Sequence, residues 1–124
     1  MAIYATRWFA RWANQQGLTN KDLCRAVHEI SRGLYDARLG GHLVKKRIAR
    51  PGGGKSGGFR TLIATNFGSL WVFVFGFAKN EQEDIEPDNL DGFRKWADEL
   101  AAMPSHKMTD AHEKGALIRV DCDA

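Results

Sequence analysis

The chain has 124 residues, 44% hydrophobic and 27% charged, with a formal net charge of +3 at pH 7. That suffices for one domain, residues 1–124, around a single core, and it is too apolar for a disordered chain. The 13 glycines cluster rather than repeat, which excludes a collagen-like chain, and no apolar run nears the roughly 18 residues of a membrane helix.

Residues 3–6 read as a short strand. Trp8, Phe9, Trp12, Ala13 and Gln16 then recur at helical spacing over residues 7–16, and Gly17 ends that helix. Thr19 is placed to cap the next helix, with Asp22 in the capping-box position. Leu23, Ala26, Val27, Ile30 and Leu34 mark its buried face, and Gly33 breaks it. Helices joined so closely are expected to form an antiparallel pair. Residues 43–49 form a strand candidate, and residues 51–58, with five glycines, a loop. Residues 59–66 give a second strand, 66–69 a turn and 70–78 a third strand. That third strand is apolar at both parities, which predicts a central position with packing on each face. Residues 88–103 resume helical spacing, with Asp88 as the expected N-cap and Pro104 beyond the end. Residues 109–114 are read as one more helical turn and 116–120 as a last strand. The prediction is an α+β fold: a helical hairpin packed on a small, mostly antiparallel twisted sheet, with a C-terminal helix.

Charge divides this chain. Residues 37–80 carry Arg38, Lys45, Lys46, Arg47, Arg50, Lys55, Arg60 and Lys79 and no carboxylate. Residues 81–124 carry the acidic excess that offsets them. A segment so basic predicts a concentrated positive surface, whose usual partner is phosphate, unless the acidic third folds over it. Cys24 and Cys122 are the only cysteines. So few, so far apart, lead to the expectation of free thiols in a reducing cytoplasm, and the start of the chain lacks the pattern of a secretory signal.

Gly54-Lys55-Ser56 looks like the end of a P-loop. That motif needs a glycine where Ala49 stands and a helix directly behind, whereas residues 59–66 read as a strand. A mobile hairpin loop is the plainer reading. In the strand before it, Val44 and Ile48 should face the core, leaving Lys45 and Arg47 on the opposite face, about 7 Å apart. Arg60 begins the neighbouring strand and Lys79 ends the third. On a curved sheet these four cations would line one concave surface. Cys24 and His28 have metal-ligand spacing but no second pair, so no metal is expected. His42 beside the basic strand is either an acid–base candidate or a surface histidine. No serine-hydrolase elbow and no paired His-Glu helix is present.

The run from Lys45 through Pro51-Gly52, then Gly54-Lys55-Ser56-Gly57-Gly58-Phe59-Arg60-Thr61-Leu62, then Phe73-Val74-Phe75-Gly76-Phe77-Ala78-Lys79, resembles the RelE/HigB-like toxins of bacterial type II toxin–antitoxin systems. Arg32-Gly33-Leu34-Tyr35-Asp36 resembles the segment that precedes them. The resemblance implies a helical hairpin on an antiparallel sheet and cleavage of messenger RNA, usually on the ribosome, with no metal or cofactor. It implies a cognate antitoxin as partner, and a helix-turn-helix protein is the expected form. Basic residues on the middle strands carry catalysis in that family. Lys45, Arg47, Arg60 and Lys79 match that description here, with Lys46, Arg50 and Lys55 as second choices. Some members use a tyrosine or histidine near the chain end; His106 and His112 are the candidates, though neither lies in an alignable motif.

Metal-free RNA cleavage needs a base at the 2′-hydroxyl, an acid at the leaving 5′-oxygen and cations around the phosphorane. Arginine stays protonated and suits phosphate oxygens, so Arg47 and Arg60 are expected to stabilise charge. Lys45 is the candidate base and Lys79 the candidate acid, while Phe59 or a tryptophan could stack on a nucleobase. Two other functions are alternatives: a nucleic-acid-binding domain without catalysis, which the charge map fits equally well, and, through the resemblance, a gyrase-targeting protein of the related ParE-like kind, against which the middle-strand cations speak for RNA cleavage.

Overall fold

The computed structural model describes residues 2–50, 57–79 and 84–122. Along the chain these form β1 (Ala2–Thr6), α1 (Arg7–Gln15), α2 (Asn20–Ser31), β2 (Ala37–Gly40), β3 (Leu43–Ile48), β4 (Phe59–Thr65), β5 (Leu70–Ala78), α3 (Pro87–Ala102), α4 (Ser105–Glu113) and β6 (Leu117–Arg119). The strands make one sheet in the order β2-β3-β4-β5-β1-β6. Only the β1–β5 pairing among them is parallel. The fold is the expected α+β arrangement, with two helices near the N-terminus and two near the C-terminus on a mostly antiparallel sheet.

Local chemistry explains the helix ends. Thr6 accepts the Phe9 N–H and starts α1; Thr19 and Asp22 form a reciprocal capping box on α2. At the end of α2, Gly33 takes φ +86°, its N–H donates to Ile30 O, and the Leu34 N–H reaches back to Glu29 O. This is a Schellman motif. It ends the helical spacing, so Leu34 does not continue the buried face but lies 52% exposed. α3 also departs from expectation. Glu86 is its N-cap and Pro87 its first residue, where a missing N–H costs nothing, so Asp88 falls inside the first turn. α4 begins at Ser105, earlier than the spacing predicts, and β2 is a strand that hydrophobic patterning did not mark because its side chains alternate between half-buried and exposed.

β5 is apolar at both parities because both sheet faces are covered at its position. On one face Phe9 and Trp12 of α1 and Leu23, Val27 and Ile30 of α2 pack on Val44, Ile48, Phe59, Ile63 and Phe73. On the other, Ala97 and Leu100 of α3 and Met108 of α4 pack on Leu43, Leu62, Ala64 and Val72. The β4–β5 register shifts between Leu62, which pairs with Phe75, and Ile63, which pairs with Phe73. Val74 is the extra residue of this bulge, and beyond it Phe75 and Phe77 share a face with Leu62 and Arg60. Gly76 points the other way, into the Trp12 ring; a Cβ there would collide with it.

The cysteines correct the expectation of free thiols: Cys24 of α2 and Cys122 are joined in a disulfide, and no free cysteine is present. Sequence separation concealed the pair. The Val120 N–H bonds to Ile3 O, carrying the end of the chain along β1 and back beneath α2. No described helix is long and apolar enough to cross a membrane.

Candidate nucleic-acid interface

The site is set by strand parity on β3. Val44 and Ile48 point into the α1/α2 core, and Lys46 shares their side. Lys46 is 8% exposed as a residue; its ammonium donates to Leu34 O at 2.8 Å and pairs with Glu29 Oε1 at 3.0 Å. Lys46 therefore ties β3 to α2 and is corrected from an RNA contact to a structural cation.

Lys45 and Arg47 face the other way. Arg47 lies opposite Arg60, which lies opposite Phe77; Lys45 lies opposite Leu62, which lies opposite Phe75. Two parallel rows thus cross three strands, one ending in Phe77 and one in Phe75. Strand spacing of about 4.8 Å and a two-residue rise of about 6.7 Å set the scale of this grid. Lys79, exposed, comes directly after β5 with its N–H on Gly58 O, one row further toward the open end, so the structure brings Lys45, Arg47, Arg60 and Lys79 to one face. Gly58 permits the close approach beside them: a Cβ there would sit 2.9 Å from Ile48 O and 3.1 Å from Arg47 Nε.

The electrostatics of this face are uneven. Arg47 and Arg60 are like charges directly opposite on neighbouring strands, an arrangement that destabilises a sheet unless something offsets it. Arg60 has a long ion pair from Nε to Asp36 Oδ2, 3.5 Å, and its Nη1 is buried without a hydrogen-bond partner. A buried unpaired donor costs about 1–3 kcal/mol, more on a charged group. Lys45 Nζ lies 3.7 Å from Asp84 Oδ1, the one ion pair among the described residues that joins a β3 cation to the acidic third of the chain. Among the described residues the acidic third meets the basic segment at this pair and at His42–Asp98. Chemically, the face offers a fork of guanidinium donors flanked by two ammonium groups, matched to a phosphate anion.

Other expected contacts fall elsewhere. Phe59 is 1% exposed and meets Trp12 edge-on at 5.5 Å in the α1/α2 core, which corrects its role as a stacking platform: no ring face is free for a base. The Arg50 guanidinium lies 5.3 Å from the Phe59 ring centroid, toward the helix side and off the cation rows. Lys55 and the Gly54-Lys55-Ser56 segment lie outside the described residues; the next element along the chain is β4, not a helix. His42 Nδ1 is 2.9 Å from Asp98 Oδ1, linking the β2–β3 turn to α3. His112 Nδ1 is 3.1 Å from Leu117 O beside the edge strand β6, and His106 is exposed in the first turn of α4. None of the three joins the cation rows. Sequence reasoning missed Asp36 and Asp84, for which no pattern signals a partner, and Phe75 and Phe77, whose parity was legible except for the bulge.

A sheet with one sealed face and a cationic stretch on the other, framed by paired N- and C-terminal helices, defines a protein built to present positive charge from β-strands. Residues 1–120 match the family model described as the RelE toxin of the RelE / RelB toxin–antitoxin system, and the chain belongs to that family. It is the toxin of a toxin–antitoxin system, and its family implies a cognate antitoxin as partner. No curated protein and no solved structure matches the chain.

Proposed function

We propose that this toxin is a metal-independent endoribonuclease that cuts messenger RNA on translating ribosomes and so inhibits translation, which would place its action in the cytoplasm. The observation that carries the reading is the Arg47–Arg60 pair: two opposed guanidinium groups, one with a buried unpartnered donor, between two lysines. A phosphodiester seated there relieves the repulsion.

The reaction that suits these groups is attack of the ribose 2′-oxygen on the adjacent phosphorus. The 2′-oxygen–phosphorus bond forms, the phosphorus–5′-oxygen bond breaks, and a 2′,3′-cyclic phosphate remains. Lys45 takes the 2′-hydroxyl proton after its ion pair with Asp84 opens. Lys79 gives a proton to the leaving 5′-oxygen. Arg47 and Arg60 hold the two equatorial oxygens as negative charge grows, a service worth about 10²–10³ in rate for one such donor.

The test is in vitro translation of a defined message, with cut sites mapped by primer extension. Cleavage should need ribosomes, persist in EDTA, leave cyclic phosphate ends, and fall at least tenfold with Lys45→Ala, Arg47→Ala, Arg60→Ala or Lys79→Ala. RNA binding without cleavage would leave a non-catalytic binding protein. Growth arrest with intact messages and inhibited supercoiling would leave a gyrase-directed toxin.

A further inference from the structure

Arg60 is held on one edge only. Its Nε lies 3.5 Å from Asp36 Oδ2, its Nη1 is buried without a hydrogen-bond partner, and 18% of its side chain stays exposed. An arginine–carboxylate pair at full strength is bidentate, with separations of about 2.7–2.9 Å. This contact is single and long, so it compensates the guanidinium poorly, and apolar packing would hold the strands at lower cost. What it does fix is where the guanidinium lies. β2 and β4 flank β3 and lie about 9.6 Å apart by strand spacing, and Asp36 comes just before β2. The Arg60 side chain therefore reaches across β3 to meet the carboxylate.

Asp36 is itself a fixed point. Its N–H donates to Lys45 O at 2.9 Å. Two residues earlier, Leu34 O accepts from the Lys46 ammonium at 2.8 Å, so the link between α2 and β2 is pinned to β3 twice. Tyr35 packs on the α1/α2 core, its ring 5.9 Å from that of Phe67, and the next side chain turns to the cation face. Asp36 thus joins two of the four cations, Lys45 through the backbone and Arg60 through the carboxylate. Arg47 goes the other way. Its Nε lies by Gly58, where an added Cβ would be 3.1 Å from it, at the end of β3 away from Lys45. The two arginines start opposite each other and their side chains diverge.

We infer that Asp36 is a positioning residue for the proposed cleavage: it draws the Arg60 guanidinium over β3, away from Arg47, and so sets the gap in which both hold the scissile phosphate. The inference rests on the ribonuclease reading and adds to it a carboxylate that touches no RNA. A negative charge beside a phosphate site opposes binding of the anion, so Asp36 does not serve affinity. Its contribution falls on the rate, through the placement of a donor that must meet the phosphorane.

Single-turnover cleavage of a defined message on programmed ribosomes, with toxin in excess, separates rate from affinity. Asp36→Asn keeps the size of the side chain and the backbone N–H and removes the charge. It should lower the saturated rate about tenfold and leave the half-saturating concentration within twofold. In the Arg60→Met background Asp36→Asn should change nothing further, since a residue that acts through Arg60 has nothing left to position. The Arg60 Nε–H resonance, assigned by its loss in Arg60→Met, reads the contact without RNA: it should exchange slowly with water in the wild type and faster in Asp36→Asn. Losses that multiply in the double variant, tighter binding with an unchanged rate, or equal Nε–H exchange in both proteins overturns the inference. So does a rate loss that follows a lower folded fraction by circular dichroism. If the wild type cuts no message, the ribonuclease reading falls, and the Nε–H exchange alone decides whether Asp36 places Arg60.

Discussion

Lys45 and Lys46 are neighbours in sequence and lie on opposite faces of the sheet. Lys46 is sealed against α2, its charge answered by Glu29 and a backbone carbonyl. Lys45 stands with Arg47 and Arg60 in a field of like charge, answered among the described residues only by Asp84 and Asp36 at 3.7 and 3.5 Å. The helix face has its polar demands met; the cation face does not. The contrast teaches that a basic segment is not one surface. Parity assigns part of its charge to holding the fold and leaves the rest on the opposite face, where the proposed function puts RNA, and the two parts should respond oppositely to substitution.

The largest expected effect is on the helix face. The disulfide joins α2 to the chain beyond β6 across a sequence separation of 98, and a loop of that order is worth about 4.7 kcal/mol in the chain-entropy account, with about 2–4 typical of measurements. The double variant Cys24→Ser, Cys122→Ser should lose about that much stability in urea, and dithiothreitol should lower the melting temperature of the wild type but not of the variant. At 25 °C the folded variant should keep its RNA affinity within twofold. A parallel loss of RNA binding would show that the two faces are coupled.

Next comes Arg60→Met. It keeps much of the apolar stem, removes the orphan Nη1 and relieves Arg47, so stability in urea should hold or rise by up to about 1 kcal/mol. Cleavage should fall about a hundredfold, as for loss of one charge-stabilising donor. A variant both less stable and fully active would mean that Arg60 belongs to the fold. Lys46→Ala should do the reverse: a loss of about 2 kcal/mol, from a charged hydrogen bond and a half-buried pair, with cleavage unchanged. Together the two variants break the comparison if both lose the same property.

Much of this division was legible. Period-2 alternation on β3 put Lys45 and Arg47 apart from Val44 and Ile48, and by the same rule assigned Lys46 to the core side, although the basic run also suggested it as an RNA contact. The capping box at Thr19 and Asp22 and the central place of β5 could be read because each depends on local pattern. The features that escaped depend on contact between distant segments. Phe59 could be recognised as aromatic, but its burial under Trp12 is set by where α1 brings that ring, and the empty space at Gly76 that admits Trp12 has no signature of its own. The Cys24–Cys122 bond required knowing that β6 returns along β1. The face that Phe75 and Phe77 take required a bulge, which shifts parity by one residue and hides which face the rest of β5 presents.

The smallest effect is the sharpest test of the faces, because it compares two exposed cations. Lys79 stands at the open end of the cation rows, whereas Arg50 lies over Phe59 toward the helix side. Both carry one charge, so both contribute alike to the net charge and to any diffuse attraction for RNA. Only a cation that displaces counterions from a seated phosphate changes the dependence of affinity on salt, by about 0.7 in the log–log slope for single-stranded RNA. Lys79→Ala should lower the slope by that amount, and Arg50→Ala should leave it within error while removing a cation–π contact worth about 0.5–1 kcal/mol at an exposed site. If both substitutions lower the slope equally, RNA tracks the basic segment as a whole and strand parity does not choose its partners. If only Lys79 does, the phosphate path runs over the face that carries Lys45, Arg47 and Arg60, and the helix face is left to the fold.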